Sequence, residues 1–202
     1  MVTRHRGVFV GIPVFLSRAA PHRIGQRQFL EALCRHLRQR GIDPRTVGET
    51  DFGMSGLDAI RGLMRQSNGL ISVAFRRTIV HSGEDRPDSD LQLDLKQRMA
   101  LQDETWLTTP WCHMETAMSY QLGLPILVMV EKDVRLDGIL ERGVLVQYPP
   151  QFDADRGDSD LEGFFDNEDK EKWRQLAATW EGQVREVVRN RARPTALYGS
   201  LT

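Results

Sequence analysis

The amino-acid sequence predicts an α/β fold, flavodoxin-like in its layering: a parallel five-stranded sheet with helices on both faces. Three observations carry that expectation. Short runs rich in β-branched residues alternate with longer segments whose apolar residues recur at helical spacing. The short runs are apolar throughout rather than at every second residue, the pattern of strands buried on both faces. Glycines stand just past the ends of the helical segments, where a left-handed residue is needed to turn the chain.

Residues 7–13 (GVFVGIP) read as the first strand, ending at Pro13. Residues 24–40 place Phe29, Leu30, Leu33 and Leu37 on one helical face, and Gly41 closes the helix. Residues 42–48 form a weaker second strand. Residues 55–69 carry Leu57, Ile60 and Met64 on one face and end at Asn68-Gly69. LISVAF (70–75) is the third strand. Residues 111–122 form a helix with Thr109 as N-cap, Pro110 in the first helical position and Gly123 as its stop. PILVMV (125–130) is the fourth strand and GVLVQYP (143–149) the fifth. The last helix, 168–192, has Trp173, Leu176, Ala177, Trp180, Val184 and Val188 at helical spacing.

The chain of 202 residues is 40% hydrophobic and 27% charged, which suits one globular domain. We divide it into an α/β core over 1–150 and an acidic connector plus amphipathic helix over 151–202, packed on the same domain. Two segments break the rhythm. Residues 78–108 are long and polar, and are expected as a lid or partner-contact segment. Residues 151–169 are acidic, and read as a solvated connector whose spacing matches no EF-hand loop. A net charge of -1 gives no global attraction to nucleic acid or to an acidic membrane. Cys34 and Cys112 are far apart and form no CxxC pair, so neither a zinc site nor a disulfide framework is expected. The basic-then-apolar N-terminus is broken by Gly11 and Pro13 and lacks a signal-peptide cleavage site, and no apolar stretch is long enough to span a bilayer. The expectation is a soluble cytoplasmic protein.

The helix over 111–122 raises the functional question. At helical spacing Trp111, Met114, Met118 and Leu122 form one stripe, expected to face inward. Glu115 falls on it. A carboxylate inside a packed face is costly unless it is paired or reaches solvent. It could pair with Arg76 or Arg77, or emerge at the stripe's edge. The functional alternative follows from topology. In a parallel sheet with strand order 2-1-3-4-5, ligands bind beyond the carboxyl ends of the strands, where the order reverses. Glu115, early in the helix that follows strand three, would point into that crevice.

Trp111, Cys112 and Glu115, spaced as W-C-x-x-E, resemble the motif around the glutamate of TIR domains. The run from Glu115 through Gly123 to PILV (125–128) also resembles nucleoside 2-deoxyribosyltransferase-like proteins and related nucleotide N-glycosidases. The resemblance covers roughly residues 7–148. It implies a flavodoxin-like architecture and Glu115 as the catalytic carboxylate acting on an N-glycosidic bond, with NAD as substrate and no cofactor. It further implies a homo-oligomer when active, a bacterial antiviral or stress-signalling role, and a separate sensor protein as partner. The segment 78–108 is longer than the short TIR connection, and TTPW stands where deoxyribosyltransferases carry a DSGT-like turn. A deoxyribosyltransferase, a nucleotide hydrolase, or a non-catalytic sensing or interaction module remain the alternatives.

Other candidates surround Glu115. Gly11, Pro13 and Phe15, placed in the loop after strand one, offer close backbone approach to a nucleotide and a ring to stack on its base. The alternative is a strand-ending turn with a core Phe. No G-x-G-x-x-G fingerprint accompanies them. Arg76 and Arg77 end strand three and would clamp a pyrophosphate or neutralise the acidic loop beyond. Trp111 is either core or a stacking platform. Cys112 lacks a paired His, and His113 projects away from Glu115. Asp51 and Phe52 read as solvated loop. No metal site is expected.

Overall fold

The computed structural model describes residues 11–47, 56–84, 100–101, 104–146 and 148–191. In chain order its strands are β1 (Ile12–Arg18), β2 (Ile42–Arg45), β3 (Leu70–Ala74), β4 (Thr78–Val80), β5 (Gly83–Glu84), β6 (Ala100–Leu101), β7 (Thr105–Leu107), β8 (Ile126–Glu131) and β9 (Gln151–Phe152). The helices are α1 (Ile24–Gln39), α2 (Gly56–Gln66), α3 (Pro110–Gln121) and α4 (Asn167–Arg191). Five of the strands form a parallel sheet in the order β2-β1-β3-β8-β9. Between β3 and α3 lie two short antiparallel pairs, β4 with β7 and β5 with β6. The described strands of the polar insertion thus pair with one another and not with the main sheet.

Strand residues alternate between two covered faces, which is why the strands read as uniformly apolar. Val14, Leu16, Ile71, Val73, Leu127 and Met129 pack with α1 and α4 through Phe29, Leu33, Trp173, Trp180 and Val184. Phe15 and Leu70 turn the other way, onto Ile60 and Met64 of α2. Ala74, Val128 and Val130 pack with Cys112 of α3. Gly41 and Gly123, expected as helix stops, have φ of 75° and 67°. The N–H groups of Leu122 and Gly123 return to the carbonyls of Met118 and Tyr120 at 3.1 and 2.9 Å.

Four expectations need correction. The first strand begins at Ile12 and runs to Arg18 instead of ending at Pro13; residues 7–10 of the expected strand lie outside the described residues. Pro13 is tolerated because β1 starts ahead of β3, whose first paired residue, Leu70, faces Phe15. The carbonyl of Pro13 still accepts the Asn68 N–H at 2.8 Å. The fifth strand is Gln151–Phe152, not 143–149. Val144 and Tyr148 are exposed. What selects the later segment is Phe152, stacked on Phe29 with centroids 3.6 Å apart and edge-on to Phe75 and Phe165. The expected domain boundary at 150 therefore falls at the edge of the sheet itself.

The acidic connector is also more than a solvated link. Between its exposed acids it buries Phe152, Ala154, Leu161, Phe164 and Phe165. The fourth correction concerns helix faces. Leu57 of α2 is exposed while Ile60 and Met64 are buried. On α3 the expected apolar stripe is turned outward: Trp111, Met114 and Leu122 are 45%, 41% and 46% exposed, and Met118 alone packs against the core. The face on the sheet is Cys112, Thr116 and Ser119. Among the described residues no helix is long and apolar enough to cross a membrane.

These burials set a contrast in stability. Phe152→Ala should cost about 3–5 kcal/mol, as a large-to-small change in a packed aromatic core. Met114→Ala should cost under about 0.5 kcal/mol, as a surface change. Urea unfolding of the two variants measures the difference.

Candidate active site

The sheet explains why α3 turns its small residues inward. On the α3 side, β1 and β3 present Ser17 and Ser72, both buried. A buried hydroxyl needs a hydrogen-bond partner, so the apposed helix face must be polar. Thr116 Oγ1 lies 3.0 Å from Ser72 Oγ, which in turn lies 3.0 Å from Cys112 Sγ. Thr116 Oγ1 also reaches the Cys112 carbonyl at 2.6 Å. Small side chains let the helix backbone come close to the sheet.

Glu115 lies at the edge of this seam. Its carboxylate accepts a hydrogen bond from the Ser17 hydroxyl. Ser17 is the penultimate residue of β1, so the pair sits at the carboxyl ends of the strands, between β1 and β3. Among the described residues Glu115 enters no ion pair, and Arg76, the partner considered from the sequence, is engaged elsewhere. Burial pushes the Glu115 carboxyl above the ordinary carboxylate range, and the Ser17 hydrogen bond pulls it partly back. Glu115 is half-buried, so the charged form is destabilised by incomplete hydration while one edge stays open to a ligand. Cys112 beside it is inert by contrast: burial pushes its thiol up to about 11, with the Ser72 contact opposing and the Glu115 charge adding to the rise. His113 points away from the pair, toward Asp137, 3.9 Å distant.

A second cluster stands at the ends of β3 and β8. Glu131 is fully buried. It accepts from the Arg76 N–H at 2.7 Å, Arg76 Nε at 3.1 Å and Gln26 Nε2 at 2.8 Å. Arg76 Nη2 continues to Asp155 at 2.7 Å, and Arg23 also binds Asp155. Burial opposes the Arg76 charge, but its bonds to Asp155 and Glu131 more than offset this and hold the proton more tightly. The Arg76 bond, ahead of the others, holds the Asp155 carboxyl below its ordinary range. Arg76 also lies over the Trp106 ring, 5.5 Å from its centroid, which ties the inserted arm to the sheet's end. At Gly25 a Cβ would meet the Ala154 carbonyl oxygen at 1.7 Å, so only glycine lets the connector seat against the start of α1.

The other expected site residues disperse. Gly11 and Pro13 are at the amino end of β1, opposite Ser17 and Glu115, and offer no approach to the crevice. Phe15 is 1% exposed against Ile60, Met64 and Leu70; it is a core residue and cannot stack on a ligand. All three placements follow from the shifted first strand. Arg76 is bound into the Glu131 cluster and is not free to clamp a phosphate. Arg77 is exposed at the sheet's carboxyl end, its backbone N–H bound to Leu107 at 2.9 Å. Trp111, one turn before Glu115, is half-exposed at the start of α3. Asp51 and Phe52 lie outside the described residues. Sequence reading misses Ser17, Gln26, Glu131 and Asp155. A polar or charged residue directly after a wholly apolar run is the available signal for Ser17 and Glu131.

Fold and site together define an α/β protein whose carboxylate–hydroxyl pair stands at the switch point of a parallel sheet. No protein-family model matches the chain, and no curated protein matches it. Among solved structures it is similar to the CMP N-glycosidase BcmB of Clostridium botulinum, at 14% identity and a TM-score of 0.42, over 82% of this chain and 98% of that one.

Breaking the buried cluster tests its weight. Glu131→Ala leaves Arg76 charged and without its buried partner, and should cost about 3–5 kcal/mol in chemical unfolding. Arg77→Ala should stay within about 0.5 kcal/mol of wild type.

Proposed function

We propose that this protein is a nucleotide N-glycosidase, with NAD as its substrate and Glu115 as its catalytic carboxylate. The observation that carries the reading is the Ser17–Glu115 pair: an incompletely hydrated carboxylate, oriented by a buried hydroxyl, at the ligand-binding end of the sheet. Cleavage of a ribosyl–base bond passes through an oxocarbenium-like state with positive charge at C1′. A preorganised carboxylate stabilises that charge far better in a dry site than in water. Nicotinamide is cationic in NAD and leaves as a neutral base with the electron pair of the broken bond. Water then adds its oxygen to C1′ and releases a proton, so no strong general acid, metal or cofactor enters the scheme. Arg77 and the Trp111 ring are exposed groups near this end of the sheet for phosphate and base contacts.

The resemblance to TIR domains supports the finer reading of an effector in an antiviral or stress-signalling pathway, triggered through a separate sensor protein. The outward face of α3, with Trp111, Met114 and Leu122 exposed, supports activity in a homo-oligomer. Light scattering across concentration, beside base release, tests this: a strict monomer at full activity rules assembly out.

The central experiment is product analysis by mass spectrometry after incubation with NAD and a panel of mononucleotides, with Glu115→Gln alongside. Wild type should release free base. Glu115→Gln should lose about 3–4 kcal/mol or more of transition-state stabilisation while still binding nucleotide. Wild type that releases no base from any nucleotide refutes the proposal.

Two pH profiles follow from the raised Glu115 pKa. Activity needs the ionised form, so kcat/KM should fall on the acid side with a midpoint above the ordinary 4.5. Ser17→Ala removes the bond that favours the anion and should move that midpoint higher. Stability moves in the opposite sense. A group whose pKa folding raises contributes fully below its unfolded value, and the contribution is lost as pH rises through the folded value. At neutral pH the ionised side chain is a cost, so Glu115→Gln should melt at or above wild type. The two melting temperatures should converge as pH drops below 4.5.

A further inference from the structure

A cavity of about 1000 Å³ opens between α1, the end of β2 and α2, with Arg18 of β1 among its lining residues. Four arginines line it: Arg18, Arg35, Arg38 and Arg45. Glu31 is the one carboxylate among the described lining residues. Arg45 pairs with Asp43 at 3.0 Å, and Arg35 donates to the Ser159 carbonyl at 3.2 Å. The side chains of Arg18 and Arg38 have no hydrogen bond or ion pair among the described residues. Both line the cavity together with Cys34.

The chain's net charge is -1, so this concentration of cations is local. Like charges in one concavity repel, and an anion between them relieves the repulsion. Leu16, Leu30 and Leu63 add apolar walls. The volume is at the upper end of the roughly 300–1,000 Å³ range of small-molecule sites, and guanidinium forks match phosphate oxygens. A recess with apolar walls suits a compact phosphorylated molecule better than an extended polymer. Ser17 and Arg18 are successive residues of one strand and point to opposite faces of the sheet. Ser17 meets Glu115, and Arg18 meets the cavity.

We propose that this cavity is a second ligand site, separate from the Glu115 crevice, for a nucleotide-sized phosphorylated molecule of the nucleoside triphosphate class. It stands apart from the N-glycosidase reading, because neither Ser17 nor Glu115 is among its described lining residues.

The test is calorimetric titration of the full chain with ATP and, separately, with inorganic pyrophosphate. Arg35 and Arg38 are exposed on α1, so they can be changed without disturbing the core. Wild type and Glu115→Gln should bind ATP alike, more weakly as salt rises. The double variant Arg35→Glu/Arg38→Glu should bind ATP at least about tenfold more weakly, while Arg35→Lys/Arg38→Lys keeps more of the affinity. Circular dichroism checks folding, and Arg38→Gln serves if the double variant is unfolded. The proposal is overturned if ATP does not bind, if the arginine variants bind it as wild type does, or if Glu115→Gln alone abolishes binding. Pyrophosphate binding as tightly as ATP overturns the nucleotide-sized site in favour of a bare anion patch. An oligonucleotide that displaces ATP at equal nucleotide concentration overturns it in favour of a polymer surface. Base release by the arginine variants is a separate measurement, so failure here leaves the Glu115 reading standing.

Discussion

The polar seam between α3 and the β1–β3 pair governs the arrangement of this protein. Ser17 and Ser72 put two hydroxyls where a parallel sheet ordinarily shows aliphatic side chains. Each buried hydroxyl left without a partner would cost about 1–3 kcal/mol. The helix therefore answers with Cys112 and Thr116 rather than with its methionines. Once that face is chosen, helical geometry fixes the rest. Glu115 follows Cys112 by one helical turn and comes to the rim of the seam within reach of Ser17. Trp111, Met114 and Leu122 are carried outward. The position of the carboxylate and the exposure of the apolar stripe are two results of one constraint.

The neighbouring corner of the sheet is fixed by charge. A fully buried Glu131 would be severely destabilising alone, but donors from Gln26 and Arg76 meet it. Arg76 passes the link on to Asp155, and so to the connector that carries Phe152 into the core. This joins α1, β3, β8 and the connector at the carboxyl ends of the strands. The carboxyl ends of β3 and β8, beside the Ser17–Glu115 pair, are thus held by buried bonds. A site needs such support, because a carboxylate displaced by even an ångström from its reacting atom loses most of its effect.

Much of the architecture is legible from periodicity. The parallel sheet, the placement of α1, β3, α3 and β8, the Thr109 cap and the glycine stops all follow from local rules that tertiary contacts do not override. The misreadings share one cause. Pro13 looks like a strand end only while its missing N–H is judged without its neighbour; the stagger of β1 past β3 makes it harmless. Val144 and its apolar neighbours look like a strand until the aromatic cluster that draws Phe152 in is considered. The α3 stripe looks inward-facing as long as the sheet beneath it is taken to be apolar. In each case the deciding partner is distant in sequence. The first error also places Phe15 beyond the end of β1, whereas it lies inside the strand and Ser17 is the penultimate residue.

Glu115 breaks the rule that its neighbours obey. Buried Glu131 is met by an arginine and several donors, whereas Glu115 has one hydroxyl and a raised pKa. A purely structural residue at the same place would be more stable as an amide or an apolar side chain, since its desolvation is only partly offset by the Ser17 bond. Local destabilisation of this kind is what a reactive group requires: a charge already stripped of part of its water interacts more strongly with the cation that forms beside it. Cys112, buried in the same seam, has its thiol pushed up to about 11, so burial there disfavours the charged form of both groups. On the proposed reading, the half-buried position of Glu115 leaves it open to the positive charge of a substrate.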